Sequence, residues 1–294
     1  MKLFDLHCDT LYEMYFQGQG FFDNSLDISQ KKAKCFKEYR QVLAIYSDNK
    51  LSEEDCFKQF FEIYNTYKKE IPEDFLHILA IEGGKALNSD IKNLDLFYSL
   101  GVRILTLVWG GECSLGGAHD TDIGLTDFGR RVVYRCFELG IIPDVSHASD
   151  RMFMQVCEIA KEKSKPFIAS HSNSRKVFPH SRNLSDEMFS MIRDCKGLVG
   201  INLEPTHSGK TDAIENTVKH IIHFLDLNGE KTVCLGCDFD GRTRKRADLP
   251  DISYLPLLYD TLIENKIPKK TVDDIFYNNA YNFFKFQFQK DVKK

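Results

Sequence analysis

Eight short apolar runs, spread along the whole chain and each followed by a helical pattern, constrain this sequence more than any other feature. They cover residues 2–9, 41–46, 76–82, 103–109, 141–147, 167–171, 197–203 and 232–238. Most are rich in Ile, Val and Leu without polar alternation, as strands buried on both faces are. Strands of that kind need covering helices, and eight βα repeats point to a closed (β/α)8 TIM-type barrel and not to an open sheet. A barrel of this type takes roughly 250 residues, so the 294-residue chain reads as one domain over residues 1–294. Helix signals agree. Thr126 precedes Asp127 as an N-cap for a helix ending at Gly140, and Ser149 and Ser185 stand before Asp150 and Asp186 in the same way. Thr271 with Asp274 three residues on is close to a capping box.

Composition excludes several classes of function. The net charge is -4, and the basic stretches 31–37, 161–165 and 242–246 are short and lack interleaved aromatics. They read as solvated surface, so nucleic acid is not an expected partner. No apolar run approaches the roughly 18 residues of a membrane span. The N-terminus runs straight into an acidic strand without a signal-peptide core. Nine cysteines, an odd number and several of them inside predicted elements, fit reduced, buried thiols. The expected location is cytoplasmic. Cys234 and Cys237 form a lone CxxC with no second pair, which reads as core thiols and not as a zinc or redox site.

The chemistry lies in where His and carboxylate residues fall. In a βα barrel the active site sits at the C-terminal ends of the strands. His7 and Asp9 end the first run, Glu82 the third, His147 the fifth, His171 the sixth and Asp238 the eighth. Each alone reads equally as a structural residue. Six such groups at the ends of apolar runs would be costly to bury unpaired, and a metal centre offsets that cost. On a strand, His7 and Asp9 would share a face and chelate one ion while Cys8 turns toward the helices. Glu82 has two oxygens with which to bridge two cations; alternatively it caps the next helix, with Gly83 and Gly84 forming an ordinary turn.

These segments resemble the renal dipeptidase (membrane dipeptidase) family of zinc metallopeptidases, relatives of the amidohydrolase barrels. The resemblance rests on Asp5-Leu-His7-Cys-Asp9-Thr10, Ile81-Glu82-Gly-Gly84, Gly124-Leu-Thr-Asp-Phe-Gly129, Asp144-Val-Ser-His147, Ser170-His171-Ser172, Ser181-Arg182-Asn183 and Gly236-Cys-Asp238-Phe-Asp240-Gly241. A last helix containing Asn279-Ala280 is similar too. Any one motif is weak, whereas seven in family order are specific. The resemblance implies a binuclear centre of two Zn2+ ions. His7 and Asp9 would bind one, His147 and His171 the other, and Glu82 would bridge them. A hydroxide between the ions would be the nucleophile, Asp238 the general base and then acid, and Arg182 the partner of a dipeptide's C-terminal carboxylate. The substrate expected is a dipeptide, with a D-residue at the C-terminal position in some relatives. A homodimer is a further expectation of the resemblance. Better-known amidohydrolases carry HxH on the first strand and often a carbamylated lysine on the fourth; here the first carries HxD and the fourth has no lysine.

One position departs from the family. Mammalian members place a substrate-binding histidine just after the fourth strand, where this chain has Trp109. The Gly-rich segment 110–120 that follows reads as a mobile loop over the site. His119 within it is the candidate replacement donor; its alternative is a solvated loop histidine. Trp109 could instead line a pocket for an apolar side chain. Two other functions stay open: a barrel amidohydrolase acting on N-acyl amino acids or another small amide, and a catalytically inactive barrel kept for binding.

Overall fold

The chain is described by a computed structural model over residues 1–209, 212–243 and 247–288. Of the basic stretch 242–246, residues 244–246 lie outside the described residues. Residues 161–165 are all exposed, as solvated charge should be.

Seven parallel strands form one curled sheet: β1 (Leu3–Asp5), β2 (Tyr39–Tyr46), β3 (His77–Glu82), β4 (Val102–Thr106), β5 (Ile142–Asp144), β6 (Val199–Ile201) and β7 (Val233–Leu235). Their order is β5-β4-β3-β2-β1-β7-β6. The expected sixth strand is only a two-residue seam. Ile168 bridges to Asp144 of β5 and Ala169 to Val199 of β6, both parallel, and this closes the barrel. Eight positions around the ring are thus filled, as the eight apolar runs require.

Alternate strand residues divide between two cores. Phe4, Val42, Ala44, Ala80, Ile104, Ile142 and Ile168 fill the barrel interior. Tyr277, Ala280 and Phe284 of the C-terminal helical segment plug that interior from below, and Asn279 ties the plug down by donating to the Val233 carbonyl at 2.8 Å. The other face of each strand packs under the helices, with Leu43, Ile45, Leu79, Ile81 and Leu105 among its members.

The caps predicted at Thr126, Ser149 and Ser185 are made, each side chain accepting from the backbone N–H three residues on. Thr271 is not a cap. Its helix begins earlier, at Lys269 after Pro268, so Thr271 lies inside the first turn. Except for β2, the strands are also shorter than their apolar runs. β1 ends at Asp5, and the Asp5 carboxylate accepts the backbone N–H of His7 at 3.0 Å, bending the chain out of the sheet. All nine cysteines are free, Cys234 and Cys237 among the buried ones. Among the described residues no helix is long and apolar enough to cross a membrane.

The seam leaves no room for side chains beside it. A Cβ on Gly200 or on Gly236 would lie 1.8 Å from the Ser170 carbonyl oxygen. Gly200→Ala must therefore separate strands that are hydrogen-bonded through Gly200 N–H to Ala169 O. We expect it to lower the unfolding free energy by about 3 kcal/mol, the upper range for core overpacking. Urea denaturation checks this, and a loss below about 1 kcal/mol would show that the seam relaxes freely.

Candidate metal centre

The C-terminal mouth of the barrel gathers every His and carboxylate predicted for it. Glu82, at the end of β3, sits in the middle. One of its oxygens, Oε2, lies 3.4 Å from His7 Nε2. The other, Oε1, lies 3.0 Å from His147 Nε2 and 3.3 Å from His171 Nε2. His7 Nε2 is also 3.4 Å from Asp9 Oδ2 and 3.8 Å from Asp238 Oδ1. Two groups of donor atoms therefore share one carboxylate through different oxygens. Glu82 does not cap the following short helix at Gly84–Leu87, which has no side-chain cap. His7 and Asp9 do meet, though not as two residues of one straight strand. The bend held by Asp5 turns His7 inward, and Asp9 stands at the start of the next helix. Cys8 packs in the helix-side core as expected.

A divalent cation fits these residues. His7 Nε2 and Asp9 Oδ1 are buried and have no hydrogen-bond partner. His147 Nε2 and His171 Nε2 are 2.9 Å apart, and one proton between them would leave Glu82 Oε1 unserved. Burial alone would push His7 down, but the Glu82 and Asp9 carboxylates outweigh it and hold it well above its ordinary value. Burial pushes Asp9 up to about 6, with Glu82 adding to the rise. Asp238 goes up to about 7 by burial, with His7 opposing and Asp9 and Glu82 reinforcing. His147 and His171 are held well below the usual range by burial, with positive neighbours helping, so both stay neutral and keep a lone pair for a metal. The backbone at Gly241 completes the cradle. A Cβ there would fall 2.1 Å from Asp9 Oδ2 and 2.6 Å from Asp238 Oδ1, so only glycine passes so close to both carboxylates.

Beneath the histidines lies a fully buried carboxylate, Asp144. It accepts the Ser146 and Ser170 backbone N–H groups at 2.9 Å, the Thr106 hydroxyl at 2.6 Å and the Ser170 hydroxyl at 2.5 Å. Ser170 has spent its only proton on Asp144, so toward His171 Nδ1, 2.7 Å away, it can only accept. His171 then carries its proton on Nδ1, and its Nε2 lone pair faces Glu82 and His147. Support of this kind fixes the tautomer that a metal ligand needs.

The mouth opens into a cleft of about 500 Å3 whose lining includes Asp9, Glu82, His147, Arg182 and Asp238. Arg182 is 5% exposed. It donates only weakly, to Ser172 Oγ at 3.3 Å and to the His171 carbonyl at 3.2 Å, while its Nε has no partner. Burial lowers its pKa to about 10, against the pull of Asp238 and Glu82, so it stays charged. Trp109 also lines the cleft, 38% exposed, with its ring 5.3 Å from Tyr46 and 5.8 Å from His147. His119 is on the cleft wall as well, its Nδ1 2.9 Å from Ser181 Oγ. Burial lowers its pKa to about 4, so the ring is neutral. The Gly-rich segment around it carries a short two-stranded ribbon. Glu112–Cys113 pairs with Gly116–Gly117, and His119 N–H donates to the His147 carbonyl at 2.7 Å. Several cleft residues escaped the sequence reading, Tyr12, Tyr46, His180, Glu204 and His207 among them. Tyr46 ends the second run and Glu204 follows the seventh, so the strand-end rule applied to all eight runs would have found both.

A closed βα barrel with His and carboxylate donors gathered at its C-terminal mouth defines a barrel metallohydrolase. Residues 54–292 match the family described as "Membrane dipeptidase (Peptidase family M19)". This chain belongs to that family of metallopeptidases. It is 31% identical over 227 residues to a Klebsiella pneumoniae protein described as "Uncharacterized protein in pqqA 5'region", covering 72% of this chain and 82% of that one. It is 29% identical over 218 residues to Dipeptidase 3 of Macaca fascicularis, covering 71% of this chain but only 44% of that protein. Among solved structures, dipeptidase AC, a metallopeptidase of family M19, superposes with a TM-score of 0.86 at 24% identity, covering 97% of this chain and 98% of that one. A Rhodobacter sphaeroides metallopeptidase liganded with a phosphinate mimic of the dipeptide L-Ala-D-Ala gives 0.83 at 24% identity, covering 96% and 98%.

Ser170→Ala tests the tautomer argument. Removing the hydroxyl frees His171 Nδ1 and leaves Asp144 one donor short. We expect divalent-metal affinity to fall roughly 10–100-fold with the fold retained. Competition with a chelator of known affinity measures this, and an unchanged affinity would mean that Ser170 does not orient the ligand.

Proposed function

We propose that the chain is a zinc-dependent dipeptidase with a binuclear centre, in which His7 and Asp9 hold one ion, His147 and His171 the other, and Glu82 bridges. The observation that carries this reading is the pair of donor groups facing the two oxygens of Glu82, 3.0–3.4 Å from the histidine nitrogens. Two cations in that cradle would lower the pKa of a water between them toward ~7 and so supply the nucleophile near neutrality. Asp238 is placed to manage its proton. Asn202 Nδ2 holds Asp238 Oδ2 at 3.1 Å, which leaves Oδ1 on the side of His7. Oδ1 would take the proton from the attacking water and return it to the leaving amine.

The cleft walls differ, and that orients the substrate. Arg182 has no carboxylate partner among the described residues, and its planar donors suit the C-terminal carboxylate of a dipeptide. Tyr12, Tyr46 and Trp109 form an aromatic patch on the cleft wall, with ring centroids 5.0 and 5.3 Å apart, suited to an apolar side chain of the N-terminal residue. His119 would supply the donor to the developing oxyanion in place of the histidine whose position Trp109 occupies. The phosphinate L-Ala-D-Ala mimic bound by the Rhodobacter relative supports including D-residues at the C-terminal position.

Metal analysis paired with a dipeptide panel, D-residues and N-acyl amino acids included, tests the proposal. About two zinc ions per chain and release of free amino acids are expected. Asp238→Asn should lower kcat by roughly 10²–10⁴-fold while metal content holds. A metal-free protein that stays inactive after zinc is added would sink the reading, and cleavage of N-acyl amino acids alone would move it to the amidohydrolase alternative. His119→Ala is expected to lower kcat by roughly 10²-fold, the usual cost of losing one oxyanion donor. Unchanged turnover would return His119 to the status of a wall residue.

A further inference from the structure

Asp238 stands almost close enough to His7 and Asp9 to be a metal ligand itself. The three residues each offer a ligand atom, all within 4.8 Å of one another. Two donors on one tetrahedral zinc ion, each ~2.1 Å from it, are ~3.4 Å apart. His7 Nε2 lies 3.4 Å from Asp9 Oδ2 and 3.4 Å from Glu82 Oε2, which matches that edge. It lies 3.8 Å from Asp238 Oδ1, which falls just short. Carboxylates are ordinary zinc ligands, so a small shift would add Asp238 to the set. A carboxylate bound to a cation is held in its ionised form and makes a poor base, because the lone pair that would take the proton is engaged. A base in this position therefore needs a restraint.

Asn202 supplies one. It follows β6 directly and is fully buried. Its Oδ1 accepts the Glu204 backbone N–H at 2.6 Å, which fixes the amide with its Nδ2 end pointing the other way. There Nδ2 meets two acceptors, Asp238 Oδ2 at 3.1 Å and the His171 carbonyl at 3.3 Å. The backbone of Asn202 is anchored as well. Asn173 Oδ1 accepts its N–H at 3.1 Å, and Asn173 Nδ2 donates to its carbonyl at 2.8 Å. These two bonds extend the seam past the backbone rung of Ser172 N–H to Gly200 O, 2.7 Å long. One oxygen of Asp238 is thus tied to an immobile donor, while the other faces His7.

We propose that Asn202 is a positioning residue that keeps Asp238 from ligating the ion at His7 and Asp9, and so reserves Asp238 Oδ1 for proton transfer. This rests on the binuclear dipeptidase reading above. Freed from Asn202, Asp238 would close on His7 and Asp9 as a further ligand. Losing a buried hydrogen bond beside the site should then strengthen metal binding while it weakens turnover. One hydrogen bond to a charged group opposes such a shift by a factor of roughly 10–100.

Zinc affinity of the full chain, measured by competition with a chelator, is the test. Asn202→Ser keeps an oxygen for the Glu204 N–H, as serine does in turns, but is too short to reach Asp238. It should bind one of its two zinc ions roughly 10–100-fold more tightly than wild type. Its kcat on a dipeptide should fall toward that of Asp238→Asn. The gain in affinity should vanish when Asn202→Ser is combined with Asp238→Asn, which removes the closing carboxylate. Asn202→Thr offers the same hydroxyl, suits a strand end and serves if the serine variant fails to fold. Loss of a merely structural residue would loosen the site, so unchanged or weaker zinc binding overturns the proposal, as does a gain that persists without the Asp238 carboxylate. A wild-type chain that binds zinc yet cleaves no dipeptide overturns the dipeptide reading alone, and one that binds no zinc overturns both.

Discussion

The Asp144 carboxylate is the interaction on which this site rests. It lies where the barrel closes and takes hydrogen bonds from Thr106 on β4, from Ser146 just past β5 and from Ser170 on the seam. A buried charge with four donors is well satisfied, and losing any donor would leave part of it desolvated and unpaired. The same carboxylate reaches the candidate metal ligands through Ser170, whose hydroxyl sets the His171 tautomer. Barrel closure and ligand geometry are therefore not separate achievements of the fold. Asp5 does similar work on the far side, accepting the His7 and Cys237 backbone N–H groups and so setting the bend that turns His7 inward.

Above that layer the mouth is electrostatically conflicted until a cation is present. Asp9, Glu82 and Asp238 all lie close to one histidine, and burial pushes Asp9 and Asp238 toward their neutral forms. A divalent ion reverses that preference, because it favours the ionised carboxylates and the neutral imidazoles together. His147 and Asp238 both sit at positive φ, 72° and 59°, a conformation that non-glycine residues rarely adopt. Backbone strain of this kind persists where surrounding contacts overdetermine it, and here it falls on two residues of the candidate centre.

Much of this was legible in the residues. The eight apolar runs gave the barrel, and the rule that ligands sit at strand ends gathered His7, Asp9, Glu82, His147, His171 and Asp238 at one mouth. What was not legible has physical reasons. Apolar runs mark buried segments and not ladder pairing, so the sixth run became a two-residue seam and the first strand stopped at Asp5. The Gly-rich segment looks like a loose loop because its ribbon is held by backbone bonds, which leave no mark in side-chain pattern. His207 was invisible for a different reason. It lies four residues past the seventh run on a one-turn helix, and only the folded chain brings it to the cleft. Thr271 failed as a cap because Pro268 begins its helix earlier.

The seam bears on how the molecule breathes. Barrel closure depends there on backbone contacts of residues 168–169, flanked by glycines that contribute no side-chain packing. The seam is among the shortest joints of the ring, tightly packed but held by few ladder bonds, such as Ile168 N–H to Pro143 O and Gly200 N–H to Ala169 O. His147 and His171 stand on either side of this joint, after β5 and at the end of the seam. Ions that bind both would act as a clasp across it. Native-state amide exchange at residues 168–172 would then be governed by metal occupancy more than by global stability, and the catalytic centre would double as the lock of the barrel.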